Sequence, residues 1–366
     1  MGFSCGIVGL PNAGKSTVYN AITRGGALVA GYPFSTVDRN VGTTLVPDPR
    51  LNLMASFAGS SRVTPTSIEV VDIAGLVRGA SRGEGLGNKF LGHIRDVDAV
   101  LHVVRCFDNP ASPHVLGEPD PLRDAAVVVT ELCLADIAAL ERRRERMLPK
   151  ARAADVAARH ELAMLEELIA ALDAGREIRL AGVSEHAAAL AAEMRLLTTK
   201  PVVFVANVPD PDQAGPRSDT WAGALQGLAE AQGAQFAEVS SRVLADLGEL
   251  DEADRQVMAE ALGVSDVQTR TLIVAAYRAL ALVTFFTANR HEARAWTVRQ
   301  GSTAVQAAAK VHSDFARGFI AAEVISAQAL AAGITPADTL RRGLLRLEGR
   351  DYEVRDGDLV QFRFNV

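Results

Sequence analysis

Gly9-Leu10-Pro11-Asn12-Ala13-Gly14-Lys15-Ser16 is the stretch on which the fold turns. It matches the pattern GxxxxGK[ST] at every fixed position. Residues 4–9 before it are a short, mostly apolar run ending in glycine, and residues 17–23 after it can continue as a helix. A strand, a glycine-rich turn and a helix in that order are the context a phosphate-binding loop requires. The glycines let backbone N–H groups wrap a phosphate. The helix N-terminus adds favourable partial charge. Asn12, Ala13, Gly14, Lys15, Ser16 and Thr17 are therefore the expected phosphate-side residues, with Lys15 on the β- and γ-phosphates and Ser16 on Mg²⁺.

Three further elements fit around that loop. The run at 68–73 ends in Asp72-Ile73-Ala74-Gly75. Asp72 at a strand end can reach Mg²⁺ through water, and Gly75 can offer its N–H to a γ-phosphate. Combined with the P-loop, this DxxG marks a switching NTPase of the GTPase-like class. Leu76 stands where a Ras-type enzyme carries its water-orienting Gln. Leucine cannot hydrogen-bond water, so slow intrinsic hydrolysis is expected unless another group positions the water. Gly79, Gly83, Gly85 and Gly87 follow, as in a switch loop. A first switch loop is expected at Tyr32-Pro33-Phe34-Ser35-Thr36, with Thr36 as a Mg²⁺ ligand; a plain Pro-bearing turn is the alternative.

Base recognition is expected after the apolar run 201–206, at Asn207-Val208-Pro209-Asp210. A guanine reader is NKxD, whose Asp accepts from guanine N1–H and the 2-amino group while the Lys stem covers the base. Here Val208 replaces the Lys and Asp210 keeps the acid, so these residues alone leave ATP and GTP both open. Ser240 and Ser241, in Val239-Ser240-Ser241-Arg242, can form a further loop against the base.

Working outward, the runs at 66–74, 99–105 and 201–206 are rich in Val and Ile, as buried parallel strands are. Helical patterns lie between several of them, which predicts an open α/β sheet. Residues 130–199 interrupt it with Ala, Leu, Glu and Arg. Cys133, Ile137, Leu140, Met147 and Leu148 form one amphipathic stripe, and Leu162, Leu165, Leu168, Ile169 and Leu172 another. A break near Pro149 predicts two antiparallel helices, and a further helical stretch spans 184–197. The C-terminal part predicts strands at 282–287 and 292–298 and a helix at 303–319. Strands at 352–354 and 359–364 are expected to join in a hairpin over Asp356-Gly357-Asp358. One helix among strands suggests a small α+β domain.

The expected division is an NTPase domain at 1–129 and 200–277, a helical insertion at 130–199 and a C-terminal domain at 278–366.

The chain of 366 residues, 48% hydrophobic and 22% charged, is too apolar for a disordered protein and long enough to fold without disulfides. Cys5, Cys106 and Cys133 form no CxxC pair, which argues against a zinc site or redox dithiol and for buried free thiols. No signal peptide is evident at the N-terminus. The apolar stretch 272–286 contains Arg278 and is shorter than the roughly 20 residues of a spanning helix. A soluble, cytoplasmic protein with no membrane partner is expected. The net charge is -6, yet residues 278–366 hold 12 basic and 9 acidic residues, a local +3. The acidic total therefore does not exclude an RNA partner.

His102 lies in an apolar strand and reads as a packed core residue. His114 lies in the Pro-rich stretch 109–121, after a strand that ends near the nucleotide. A mobile histidine there would orient water in place of the missing Gln; a simple exposed loop residue is the alternative. His312 reads as structural or surface. The run Glu141-Arg142-Arg143-Arg144-Glu145-Arg146 is either a solvated helix face or an RNA contact.

Taken together, these motifs resemble the Obg-like ATPase family, the YchF-type branch of the Obg-related P-loop NTPases. The stretches that carry the resemblance include residues 1–3, 5–12, 71–77, 79–81, 83–88, 102–107, 293–297 and 362–366, in one order along the whole chain. The resemblance implies an α/β P-loop NTPase domain with an inserted helical hairpin and a C-terminal TGS domain of ubiquitin-like β-grasp type. It implies ATP preferred over GTP, the hydrophobic replacement at Leu76, a histidine near position 114, and ribosome association in translation or stress control. Asp210 departs from the family's NxxE.

On this reading His114, Lys15 and Gly75 carry the hydrolysis. Mg²⁺ and possible K⁺ are the cations, and the ribosome or its RNA is the partner, with no sequence-specific DNA. A monomer suffices. A ribosome-binding module with incidental hydrolysis and an Obg-type GTPase are the alternatives.

Overall fold

The computed structural model describes residues 2–24, 40–73, 86–109, 112–153, 155–210, 215–247, 267–331 and 333–365, with isolated positions between 250 and 258. The chain forms two compact units, one of residues 1–44 with 69–279 and the other of residues 45–68 with 280–366.

In the first unit the P-loop pattern does what its context requires. Strand β1 (Ser4–Val8) leads through the loop into α1 (Lys15–Arg24), followed by β2 (Asn40–Leu45). After an excursion through α2 (Arg50–Ala58) and β3 (Arg62–Thr64), the chain returns as β4 (Ser67–Asp72). Then come α3 (Leu86–Asp96), β5 (Ala99–Arg105), α4 (Pro121–Arg152), α5 (Val156–Asp173) and α6 (Glu185–Glu193). The unit closes with β6 (Val202–Asn207), α7 (Pro216–Ala231), β7 (Gln235–Val239), α8 (Ser241–Leu247) and α9 (Val267–Ala279).

The sheet runs β2-β4-β1-β5-β6-β7. β1 pairs in parallel with β4 (Cys5 opposite Val70) and with β5 (Gly6 opposite Val100). β5–β6 and β6–β7 are parallel as well. Every residue of β5 is buried, as a central parallel strand demands. Because β4 and β5 flank β1 on opposite sides, the order reverses there, and the carboxyl ends open a crevice at that switch point. Helices cover both faces: Ile94, Val128 and Leu132 pack on Val71 and Val100 in one core cluster, and Leu225 and Ala229 on Phe204 and Val104 in another.

The predicted helical insertion is present, with altered bounds. α4 begins at Pro121, nine residues before the expected boundary at 130, because Asp120 caps it by accepting from Arg123 N–H at 3.1 Å and Pro121 opens the first turn. The helix runs through Pro149, close to its end, where one missing N–H is tolerated. The break falls after Arg152, and Asp155 caps α5 by accepting from Ala158 N–H at 3.1 Å. Leu140, Leu165, Leu168 and Leu172 form the core of the arm.

The second unit is a sheet in the order β11-β10-β12-β8-β9-β3. Its strands are β8 (Leu282–Ala288), β9 (Glu292–Arg299), β10 (Phe319–Ser326), β11 (Arg346–Glu348) and β12 (Asp358–Phe364), joined by β3. Helix α10 (Ala304–Val311) covers one face, with Ala304, Ala307 and Ala308 on Phe285, Val324 and Phe362. α2 covers the other, with Leu51 and Met54 on Phe286, Ile325 and Leu359. Residues 45–68, assigned by sequence to the N-terminal domain, therefore pack with the C-terminal sheet.

Two C-terminal expectations are corrected. The helix predicted over 303–319 stops at Val311. His312 turns extended at φ -160° and caps the short α11 (Ser313–Arg317) by accepting from Asp314 N–H on Nδ1. Phe319 then begins a strand. The expected hairpin at 352–364 does not form: Glu353 makes only an isolated bridge to Thr303, and β12 pairs with β10 and β8 instead. Asp358 explains the difference, since its carboxylate accepts from Arg355 N–H at 2.9 Å and from the Tyr352 hydroxyl at 2.8 Å. That closes a side-chain-held turn in place of a ladder.

Cys5, Cys106 and Cys133 are buried free thiols, each pushed up to about 12 chiefly by burial. Among the described residues no helix is long and apolar enough to cross a membrane.

Candidate nucleotide-binding site

The site grows from the carboxyl ends of β1, β4, β5 and β6. Leaving β1, the backbone passes close under β5: a Cβ on Gly9 would collide with the carbonyl oxygen of Val103, so only glycine fits. Asn12 adopts φ +62° and Gly14 φ +91°, and a Cβ at Gly14 would strike Asn207 Nδ2. The loop is thus shaped by approach of other chain segments as well as by its own turn.

Lys15 lies over this loop, 8% exposed, and its ammonium donates to Leu10 O at 2.8 Å. Burial lowers the amine to about 8, opposed by the nearby Asp72 carboxylate. Beside it, the Ser16 hydroxyl donates to Asp72 Oδ2 at 2.8 Å. Two hard oxygens are thereby paired next to the phosphate cradle, a donor set that suits Mg²⁺. Thr36, Gly75 and Leu76 lie outside the described residues, as do both predicted switch loops as far as 85.

Next to Gly14 and Thr17 is a cavity of about 350 Å³, with Phe107, Asp108, Asn207, Asp210 and Arg242 on its walls. Val208, Ser241 and Asn109 also line it. Asn207 is tied into the scaffold: its Nδ2 donates to Ala13 O at 2.9 Å and its Oδ1 accepts from Ser241 N–H at 3.3 Å. Both ends of the amide are spent on tying the base-side loops to the P-loop. Asp210 is the acid of the motif and lines the cavity. Its Oδ1 accepts from Ser240 Oγ at 3.4 Å, and its Oδ2 lies 4.0 Å from Arg242 Nε. Ser240 is fixed in turn by Gln268 Oε1, which accepts from its N–H at 3.0 Å.

His114 is neither an exposed loop residue nor free. Its side chain is 2% exposed, its Nδ1 accepts from Leu116 N–H at 3.1 Å, and its Nε2 lies 2.7 Å from Asp124 Oδ2 in the first turn of α4. Asn12 Nδ2 donates to Pro113 O at 3.2 Å, so the loop bearing His114 touches the P-loop. His102 is a packed core residue beside Phe204, its imidazole lowered to about 3 by burial.

Sequence reasoning missed Phe107, Asp108, Arg105 and Asp124 as site residues. The first two follow β5 directly, and position after a central strand at the switch point was the available signal. Arg105 is 2% exposed and holds the next loop from below, donating to Phe107 O at 3.0 Å and Ser112 O at 2.8 Å, with its guanidinium 4.6 Å from the Phe107 ring centroid.

Comparison with known proteins agrees with this architecture. Residues 4–129 match the family described as 50S ribosome-binding GTPase, and residues 282–365 match YchF-GTPase_C, a family described as of unknown function. The ribosome-binding ATPase YchF of Haemophilus influenzae is 43% identical over the full length of both chains, and that of Bacillus subtilis 42%. The solved structure of the Schizosaccharomyces pombe YchF GTPase superposes with a TM-score of 0.82 at 32% identity, over 99% of this chain and 97% of that one. With full-length relatives at this identity and the same P-loop fold, the chain belongs to the YchF family of P-loop NTPases.

Proposed function

We propose that the chain is an ATP-hydrolysing molecular switch that associates with the ribosome in the cytoplasm, as a monomer. The observation that carries this is the Ser16–Asp72 pair at 2.8 Å, set beside a glycine-shaped phosphate loop and a 350 Å³ base-side cavity. The names of the full-length relatives support both the nucleotide and the partner. Lys15, Asn12 and the amides of residues 13–17 stabilise the phosphates. Ser16 and Asp72 hold Mg²⁺, with Thr36 as the expected third ligand and Gly75 as the γ-phosphate sensor. Mg²⁺ held by these residues would supply charge neutralisation to the phosphates. K⁺ beside Asn12 belongs to the same proposal. His114 replaces the absent Gln in orienting the water.

For the base, Val208 offers no Lys stem to cover guanine, which supports ATP. Asp210 supports a second reading, an Obg-type GTPase, because its carboxylate lines the cavity where guanine N1–H and the 2-amino group would donate. Competition of ATP against GTP on the purified protein tests the choice: tighter ATP binding is expected, and tighter GTP binding overturns it. The switch itself is tested by ribosome affinity in the ATP, ADP and nucleotide-free states. Equal affinity in all three would leave a binding module with incidental hydrolysis.

A further inference from the structure

The His114 imidazole lies directly beneath the P-loop, at a cavity of about 10 Å³ bounded by Ala13, Arg105, His114 and Asp124. We propose that Asp124 is a positioning residue that stores His114 in an inactive pose and so restrains basal hydrolysis. The proposal rests on the reading that His114 orients the attacking water.

The argument begins with the ring itself. Nδ1 accepts from Leu116 N–H at 3.1 Å, so the proton of the neutral imidazole is on Nε2. Nε2 lies 2.7 Å from Asp124 Oδ2, and that buried oxygen has no hydrogen-bond partner among the described residues, which leaves the imidazole as its nearest polar neighbour. Nδ1 is engaged by the backbone and Nε2 is turned to a buried carboxylate, and the two side chains are 2% and 4% exposed.

Asp124 is held firmly enough to act as an anchor. Its Oδ1 accepts from Arg123 Nη2 at 2.9 Å and Nε at 3.2 Å, and its backbone N–H donates to Asp120 O at 2.8 Å in the first turn of α4. Asp124 is thus fixed from its own helix, whereas His114 lies on the segment that precedes that helix.

That loop is coupled to the nucleotide. Asn12, a P-loop residue, donates to Pro113 O at 3.2 Å, immediately before the histidine. A nucleotide that draws Asn12 toward phosphate or cation competes with this bond and loosens the loop at the residue next to His114. Release of Nε2 from Asp124 is then the remaining step before the ring can face water. Together with Leu76, such storage keeps turnover low until the loop is displaced.

The test compares Asp124→Asn, which keeps the shape and removes the charge, with wild type, His114→Ala and the double variant. Asp124→Asn is expected to raise kcat for ATP about fivefold with KM changed less than about twofold, and the double variant to match His114→Ala. A second readout needs no turnover: diethyl pyrocarbonate modification, mapped by mass spectrometry. In nucleotide-free wild type, His114 is expected to react at least tenfold slower than the exposed His160 and His186, and Asp124→Asn is expected to remove most of that protection. ¹⁵N spectra should show the Nε2–H tautomer.

A fall in kcat for Asp124→Asn overturns the restraint, making Asp124 a support for catalysis. Wild-type His114 reacting as fast as His160 overturns the stored pose, and that measurement requires no variant to fold. If His114→Ala hydrolyses ATP at the wild-type rate while protection persists, the catalytic reading of His114 fails, and the brake with it, but the buried pose stands.

Discussion

Asn207 Nδ2 donates to the carbonyl oxygen of Ala13 at 2.9 Å, joining the end of β6 to the P-loop across 194 residues of sequence. The same amide's Oδ1 accepts from Ser241 N–H at 3.3 Å. An amide with both ends engaged in the scaffold is expected to set where a nucleotide sits more than to choose its base. Asn207→Ala should therefore weaken ATP and GTP alike, by roughly tenfold or more given about 1–3 kcal/mol for a buried polar network left unpaired. The ATP-to-GTP affinity ratio should stay within about twofold. Fluorescent-nucleotide titration reads both quantities, and a ratio that shifts strongly would return Asn207 to the base-reading role.

The Lys15 amine gives a pH signature. Burial holds it at about 8 in the nucleotide-free protein, well below the ordinary 10.5. Phosphate oxygens arriving beside it favour the ammonium and raise it again. Between these values the free protein has lost a proton that the bound protein retains, so binding takes one up. Calorimetric titration of ATP in buffers of different ionisation heat should show little uptake through Lys15 at pH 7 and about 0.9 proton at pH 9. Affinity should fall over the same window. The stability contribution has the opposite sense: the unfolded chain binds the extra proton above pH 8, so the penalty for burying a charged Lys15 is relieved as pH rises from 8 toward 10.5. Lys15→Met should abolish both pH effects, and uptake that survives the substitution would assign them elsewhere.

Asp136 makes a separate claim about the arm. Fully buried on α4, it accepts from Leu197 N–H at 2.9 Å, Thr198 N–H at 2.9 Å and the Thr198 hydroxyl at 2.8 Å, just before β6 resumes the sheet. Burial raises its carboxyl, and these three donors oppose the rise. Asp136→Ala strands all three, which should cost about 3 kcal/mol. Thermal unfolding should start several degrees lower, while nucleotide affinity measured in the cold stays near wild type. A variant as stable as the parent would mean that the donors find water.

How far the sequence reveals this molecule depends on the range of the interaction concerned. The P-loop, its flanking elements and the buried parallel strands are legible because they rest on local geometry: glycines at forced φ and runs of Val and Ile. Lys15, Ser16 and Asp72 are legible for the same reason. The anchoring of His114 by Asp124, and of the following loop by Arg105, is not legible. Each depends on residues brought together by the sheet, and nothing in Arg105 as a letter shows that its guanidinium is buried among carbonyls. The expected hairpin at 352–364 failed likewise, since Asp358 finds Tyr352 and Arg355 where local turn statistics suggest a ladder.

The assignment of 45–68 is the clearest non-local case, and it yields the last prediction. By sequence these residues sit between two strands of the first sheet, yet Leu51, Met54 and Ala55 fill the face formed by Phe286, Ile325 and Leu359. β3 also extends the second sheet by pairing with β9, Val63 opposite Ala293. Arg50 adds a polar lock, donating to Asp48 and reaching Asp356 at 2.6 Å, while Asp356 accepts from Thr284 N–H at 2.9 Å. A C-terminal fragment cut at 280 would expose a large apolar face and a bare sheet edge, both of which favour aggregation. Expressed alone, residues 280–366 should be poorly soluble or molten. Fusing residues 45–68 to that fragment through a flexible linker should restore cooperative unfolding, and Leu51→Asp in the fusion should undo the rescue. A fragment that folds cooperatively without 45–68 would show that this segment decorates the sheet and does not complete it.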